Sequence, residues 1–409
     1  MRGRGLVVAT GITLLALASG GVCAASAATS TPGATGQPAT PGQPPTPGEP
    51  ATRAFIQGLV VIATGSVAPL YQTGAIGTPV ALASGSDLIA AAFTPNDLTA
   101  YVANAAESSV TPVSVVDDTT LMPGPPIPTG PDPVAVAVTP NGKSALVVDN
   151  HGKKIRGHFQ YWVQWISTAT NTVVAHVRVG ISPIEIAITP NGRYAYVSNV
   201  NSGTVTPIEV GPRKALRAIH VGFDPEALAI TPNGKYVYVA NNGSGTVTPI
   251  RISDNKALKP IKVGKFPAAI AITATGKYAY VTNNGSGTVS KIRLATRKVV
   301  KTIRTGGYPD NIVITPNGTA AYVGSFDDQA IKTHLRTVIA LDLTTGTVAR
   351  HITVGRGPIA LCVKPGGLTV YVANFYSNTV SAITVATNTA GSGMGLGGWH
   401  EPTFISMEP

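Results

Sequence analysis

Along most of this chain apolar and polar residues alternate in short runs, and each run stops at a cluster of Gly, Asn, Ser or Pro. Alternation of period two bounded by turn residues predicts half-buried β-strands. Blocks of Ala, Glu, Lys, Leu and Arg at helical period are absent, so long helices are not expected. The runs also recur as a unit. The clearest copies are ITPNGRYAYVSNVNSGTVTPI (188–208), ITPNGKYVYVANNGSGTVTPI (230–250) and ITATGKYAYVTNNGSGTVSKI (272–292), and weaker ones begin at Phe93, Val138, Ile314 and Val363. The proline of the TPNG turn, or its equivalent, marks Pro95, Pro140, Pro190, Pro232, Ala274, Pro316 and Pro365, at intervals of 45, 50, 42, 42, 42 and 49 residues. That period, with Tyr and β-branched residues alternating inside it, fits one four-stranded blade of a β-propeller.

Within a unit the strands read directly. Strand A is the small apolar run before the TPNG turn, such as Ala227-Leu228-Ala229-Ile230, suited to a crowded centre. Strand B is Tyr-x-Tyr-Val, strand C is Thr-Val-Thr-Pro-Ile, and strand D is a Lys-rich run ending in Val-Gly. Asn-Gly and Gly-Ser-Gly fall between them, where hairpins need positive φ. The chain ends decide the number of blades. Residues 402–409 imitate residues 225–232, a strand A with nothing after it. Residues 66–70 read as a strand C, 77–80 open a strand D, and a strand B falls within 54–63. These pieces sum to one blade closed by the C-terminus, which removes open sheet edges. The expectation is an all-β propeller of eight four-stranded antiparallel blades over 54–409. Seven blades, with the ends packed as extras, is the alternative.

Composition refines this. Two cysteines in 409 residues exclude a disulfide-stapled scaffold. Arg2 and Arg4 precede an apolar stretch, Leu6–Ala18, shorter than a membrane span, and Ala25-Ser26-Ala27 supplies small residues for a peptidase. Residues 1–27 are therefore expected to be a signal peptide. The lipobox preceding Cys23 is poor. Residues 28–53, rich in Pro, Thr and Gly, read as a disordered tether. Cys362, in an apolar run, reads as an inert core thiol.

Tyr280-Val281-Thr282-Asn283 spells YVTN, with YVSN at 196–199 and YVAN at 101–104, 238–241 and 371–374. On these residues the chain resembles the exported YVTN-type β-propeller repeat proteins over about 54–409. The resemblance implies a surface or periplasmic binding module, typically of seven blades, so an eighth would be a departure. Lactonases and lyases built on propellers are more distantly similar, but none of their catalytic signatures maps onto this chain.

A four-stranded meander puts the D–A and B–C connections on one face. Two B–C connections are enlarged, 149–160 and 325–336, and binding residues concentrate on such segments. The start of strand A collects seven of the chain's 19 acidic residues: Asp87, Asp132, Glu185, Asp224, Glu226, Asp310 and Glu401. Lining the channel, they would ring its mouth and invite a cation, either a divalent metal ion or a basic ligand. The blander reading is that Asp132 and Asp224, each ahead of a proline, cap turns. His400 joins this group, while His151, His158, Tyr161, Trp162, Asp327, Asp328 and His334 are candidates on the long loops. Without an HExxH-type pair or a close spacing, the histidines read first as solvated loop residues, and alternation on strand C is expected to bury some of Tyr161, Trp162 and Trp165 between blades, a sugar or peptide platform being the alternative.

The formal charge of +11 favours anionic partners. Eleven basic residues fall on or beside strand D: Arg213, Lys214, Arg217, Lys256, Lys259, Lys262, Arg297, Lys298, Lys301, Arg304 and Arg350. Lysines there protect an exposed edge, and a basic rim could also hold an anionic wall polymer. The functional expectation is a monomeric, secreted or wall-associated binding or scaffold module whose partner is a wall polymer, a surface protein or a small ligand, with nucleic acid not expected. A lactonase- or lyase-like enzyme at the acidic mouth is the alternative. No nucleophile elbow, phosphate loop or zinc pattern supports catalysis directly.

Overall fold

The computed structural model describes residues 56–82, 87–96, 98–117, 119–155, 158–325, 336–396 and 401–407. Among these residues the strands form eight separate antiparallel sheets. In chain order, strand A of blades 2 to 8 is Leu88–Phe93, Pro133–Val138, Pro183–Ile188, Pro225–Ile230, Pro267–Ile272, Pro309–Ile314 and Pro358–Val363. Each strand A contacts the strand A of both neighbouring blades, so the eight innermost strands close a ring around a central channel.

Blade 1 is built from both chain ends. Ile56–Ile62, Ser66–Tyr71 and Val80–Ala81 are its strands B, C and D. Pro402–Met407 supplies strand A, with Val60 opposite Ile405. The eight-blade count holds, and the seven-blade alternative is set aside. Strand D departs from the expected continuous run in blades 2, 4, 5 and 8, where it breaks into two short pieces that both pair with strand C. In blade 4 these are Lys214–Ala215 and Ile219–His220.

The repeat signatures have mechanical roles. In the A–B turn of blade 3, Thr139 Oγ1 accepts the Ser144 N–H (3.1 Å), and Gly142 takes φ +68°, which only glycine adopts freely. Asn199, the last residue of YVSN, is fully buried. Its Nδ2 donates to Thr204 Oγ1 (3.1 Å) and Thr206 Oγ1 (2.9 Å) on strand C, and its Oδ1 accepts the Gly180 N–H (3.0 Å) ahead of strand A. Asn283 repeats this with Thr288, Ser290 and Gly264. A Cβ at Gly264 would sit 2.6 Å from the Asn283 Cβ, so the Val-Gly ending strand D is a close approach that excludes a side chain.

The second tyrosine of Tyr-x-Tyr-Val links blades. Tyr101, Tyr196 and Tyr322 are buried, and each Oη donates to an asparagine Oδ1 in the C–D turn of the next blade: Asn171, Asn255 and Asn388, all at 2.6 Å. The apolar core lies between blades and is continuous around the ring. Ala269 and Tyr280 of blade 6, for instance, share a cluster with Ile312, Val323 and Leu341 of blade 7.

Cys362 is buried, as its apolar run predicts. Cys23 lies outside the described residues.

Candidate functional site

The D–A and B–C connections share one rim, tied by bonds such as Asn242 N–H to Asp224 O (2.8 Å) and Asn284 N–H to Phe266 O (2.9 Å). The frame of this rim is uniform. In blades 4, 5, 6 and 8 the serine of the B–C turn accepts the backbone N–H of the second residue before strand A: Ser202 from Ile181 (2.7 Å), Ser244 from Phe223 (2.7 Å), Ser286 from Lys265 (2.6 Å) and Ser377 from Arg356 (2.5 Å). The residue directly before strand A then takes the left-handed conformation in six blades: Asp132, Ser182, Asp224, Phe266, Gly357 and Glu401. Fixed backbone bonds thus hold two adjacent positions per blade whose side chains differ from blade to blade and face out from the rim.

Exposed aromatic side chains sort onto this rim. Among the described residues, Phe159, Phe223, Phe266, Tyr308 and Tyr376 are the exposed aromatics. Phe223, Phe266 and Tyr308 stand at successive D–A connections, Tyr376 in the B–C turn of blade 8, and Phe159 near the tip of the blade 3 hairpin. The opposite rim exposes only aliphatic residues of this size, Leu98, Val116 and Leu368. The charge of a loop residue is readable from sequence, but its exposure is not, so residue types alone do not reveal this arc.

Strand A opens with a register shift that leaves its second residue unpaired in the ladder. Glu226 and Asp310 occupy this bulge in blades 5 and 7. Both keep part of their surface open while protein atoms wall the remainder. Burial pushes Glu226 up to about 8, and the Asp310 and Asp224 charges add to the shift against the Asn242 hydrogen bond (3.0 Å). Burial pushes Asp310 up to about 7, opposed by a hydrogen bond from Asn284. Glu185, one position further along strand A of blade 4, is buried and accepts the Leu228 N–H of blade 5 at 2.7 Å. Burial holds its carboxyl well above the ordinary range, and the Glu226 charge adds to this.

The expected ring of seven carboxylates therefore resolves into unlike positions. Glu226 and Asp310 hold the shifted position of blades 5 and 7, near enough for the Asp310 charge to act on Glu226, and Glu185 is part of the wall between blades 4 and 5. Asp87 forms an isolated bridge with Thr64, and Asp224 and Glu401 stand on the rim. Asp132 does not spend its carboxylate on a turn cap: Oδ2 accepts from His151 Nδ1 at 2.7 Å, on an exposed pair. Among the described residues no three His, Cys, Asp or Glu side chains converge to hold a metal ion. His400, Asp327, Asp328 and His334 lie outside the described residues.

The enlarged connection at 149–160 is a correction to the loop reading. Strands B and C of blade 3 run on as Ser144–Ile155 and His158–Ser167, with Lys154 opposite Phe159. Trp165 is core, whereas Tyr161 and Trp162 are half-buried and Trp162 meets His176 edge-on at 4.8 Å. Asp149 stands where the other blades carry the clamp asparagine, and Gln164 stands where they carry Thr or Ser. The bond is reversed: Gln164 Nε2 donates to Asp149 Oδ2 at 2.7 Å. Asp149 is fully buried, its Oδ1 has no partner, and burial pushes its carboxyl up to about 7, with the Asp132 charge adding. The substitution is legible in the repeat, because LVVD at 146–149 aligns with YVSN at 196–199.

Residues 158–334 match the family model described as YNCE-like β-propeller. Over that stretch the chain is similar to the YNCE-like β-propellers. The resemblance to YVTN-type proteins drawn from the signatures stands, with eight blades. None of the curated proteins matches the sequence. Among solved structures, the chain is similar to Kuenenia stuttgartiensis hydrazine synthase (22% identity, 73% of this chain and 96% of that one, TM-score 0.57). It is also similar to a functionally unknown protein from Desulfotomaculum acetoxidans DSM 771 (16%, 86% and 98%, TM-score 0.60). A third likeness is to the dihydro-heme d1 dehydrogenase NirN in complex with DHE (14%, 89% and 77%, TM-score 0.69). At these identities the likeness is one of fold.

Proposed function

We propose that this protein is an exported, surface- or wall-associated binding module that presents its D–A/B–C rim to a partner. The observation that carries the reading is the confinement of the exposed aromatics to that rim among the described residues. Exposed aromatic area contributes nothing to a monomer's core and is the usual currency of interfaces. Chain geometry supports display. Ile56 is the first residue of strand B in blade 1 and pairs with Tyr71 at the end of strand C, on the opposite rim. A tether made of residues 28–53 would leave from there and turn the aromatic rim outward.

The test is co-sedimentation of the mature protein with isolated cell envelopes, beside a Phe223→Ser/Phe266→Ser/Tyr308→Ser variant of unchanged thermal stability. Binding by the parent and its loss in the variant are expected. Equal retention by both overturns the reading. A salt series separates any contribution of the basic strand D edge, which screening weakens. Part of that edge is already engaged between blades, since Lys301 Nζ donates to Thr345 O (2.7 Å) and Arg350 to Thr387 O (3.3 Å).

One observation favours the enzymatic alternative. Asp132 orients His151 at 2.7 Å, the arrangement of a general base with its positioning carboxylate. Saturable turnover of a lactone, abolished by Asp132→Ala, would establish it.

A further inference from the structure

Three neighbouring blades concentrate what the other blades carry singly. Phe223, Phe266 and Tyr308 open blades 5, 6 and 7 at the rim, and each is exposed. The carboxylates Asp224, Glu226 and Asp310 belong to the same three connections or to the strands they open. The two sets are joined through the B–C turns. Asn242 holds Glu226, and a Cβ on its neighbour Gly243 would lie 3.2 Å from the Phe223 Cβ and still closer to Asp224 Oδ2. Asn284 holds Asp310, and a Cβ at Gly285 would lie 3.1 Å from Phe266 Cε2, inside the space the ring occupies. Aromatic and carboxylate thus flank one short turn in each case.

We infer that this sector of the rim takes a basic polypeptide segment, its lysine or arginine side chains entering the acidic mouth and its stem packing on the aromatic arc. Aromatic faces attract cations, and they cover the aliphatic stems of Lys and Arg equally well. Charge selects the partner. The chain as a whole carries +11, yet Asp224, Glu226 and Asp310 gather in this one sector, where an incoming cation favours the ionised form of the two carboxyls whose protons burial retains. Lys265 and Arg356 are the cations in the corresponding rim positions. A basic segment is repelled by most of this molecule and attracted at the mouth, which fixes where it docks. The spread of the aromatics over separate blades, continuing to Tyr376 in blade 8, suits an extended chain better than a single small amine. Phe266 points the same way. It is a bulky residue at φ +52°, and the other left-handed residues directly before a strand A are Asp, Ser, Gly or Glu. Strain of this kind collects at functional positions.

The inference rests on the rim being the binding surface, and its test is separate. Fluorescence anisotropy of a labelled lysine–glycine peptide, its glutamate–glycine counterpart and free spermine would be measured against the mature protein. The lysine peptide is expected to bind. Phe223→Ser/Phe266→Ser and Glu226→Gln/Asp310→Asn should each weaken it about tenfold, and the glutamate peptide should not bind. Thermal melts check that both variants fold. Equal binding of both peptides, or binding unaffected by both variants, overturns the inference. Spermine as tight as the lysine peptide overturns the polypeptide in favour of a small organic cation. Loss of envelope binding in the aromatic variant without any lysine-peptide binding would leave the module standing and sink the inference.

Discussion

Tyr196 Oη donates to Asn255 Oδ1 at 2.6 Å, joining strand B of blade 4 to the C–D turn of blade 5. The hydroxyl comes from a fully buried ring, and the acceptor sits at φ +50°, a conformation asparagine tolerates. One bond therefore serves both a blade interface and a turn. Tyr196→Phe should cost about 1 kcal/mol, the worth of a typical hydrogen bond. Asn255→Ala should cost more, because it also forces a Cβ-bearing residue without a compensating side chain into the left-handed region. Asn255→Gly should fall between wild type and Asn255→Ala. Denaturant melts order the three, and a costlier glycine than alanine would show that the turn's conformation contributes nothing.

How much was legible follows from whether a signal is local. The TPNG turns, the strand alternation and the closing strand at 402–407 were all readable, because each depends on residues within one unit. The Tyr196–Asn255 bond spans 59 residues, and either partner alone looks ordinary. Its trace was nevertheless present in Asn171, Asn255 and Asn388 at matching turns of three blades. Glu226 and Asp310 were picked out by their crowding at strand A. Which carboxylates face one another could not be read, because the bulge decides it. The aromatic arc was invisible, since exposure at a loop depends on the backbone direction set by Ser244 and Ser286.

Stability should fall as pH rises from about 5 to 8. The folded carboxyls of Glu226 and Asp310 stand at about 8 and about 7, above the roughly 4 of an unfolded chain. Groups bound more tightly to protons in the folded state contribute fully below the unfolded value, and that contribution is lost as pH climbs through the folded one. The limiting slope is about 1.4 kcal/mol per pH unit per group, and solvent in the channel reduces it. Glu226→Gln/Asp310→Asn should flatten the melting profile, with less effect than the sum of the single changes because the two charges interact. A parent Tm that rises from pH 5 to 8 would sink this account.

Asp149→Asn should stabilise the protein at pH 8 and leave it nearly unchanged at pH 5. The substitution restores the residue used by the other clamps, keeps an acceptor for Gln164, and removes a charge that burial opposes. Asp149→Ala should destabilise at both pH values by roughly 1–3 kcal/mol, because it strands the Gln164 amide. A paired melt of the two variants separates the charge from the hydrogen bond.

Phe266→Asn sets stability against binding at one residue. Holding a bulky side chain at φ +52° costs on the order of 1 kcal/mol, and asparagine adopts that conformation with less strain. The ring's contact over Gly285 offsets part of this, but the side chain remains 53% exposed, so the offset is small. Phe266→Asn should therefore raise Tm by roughly 1–3 °C while weakening binding at the rim about tenfold. If the substitution lowers Tm instead, the ring is a structural cover for the Asn284–Gly285 turn and its place in the left-handed region needs no partner. If Tm rises and binding is unchanged, the residue is strained without return, and Phe223 and Tyr308 must carry the contact. Only the opposed pair of changes, a gain in Tm with a loss of binding, fits a strained aromatic kept for what it touches outside the chain.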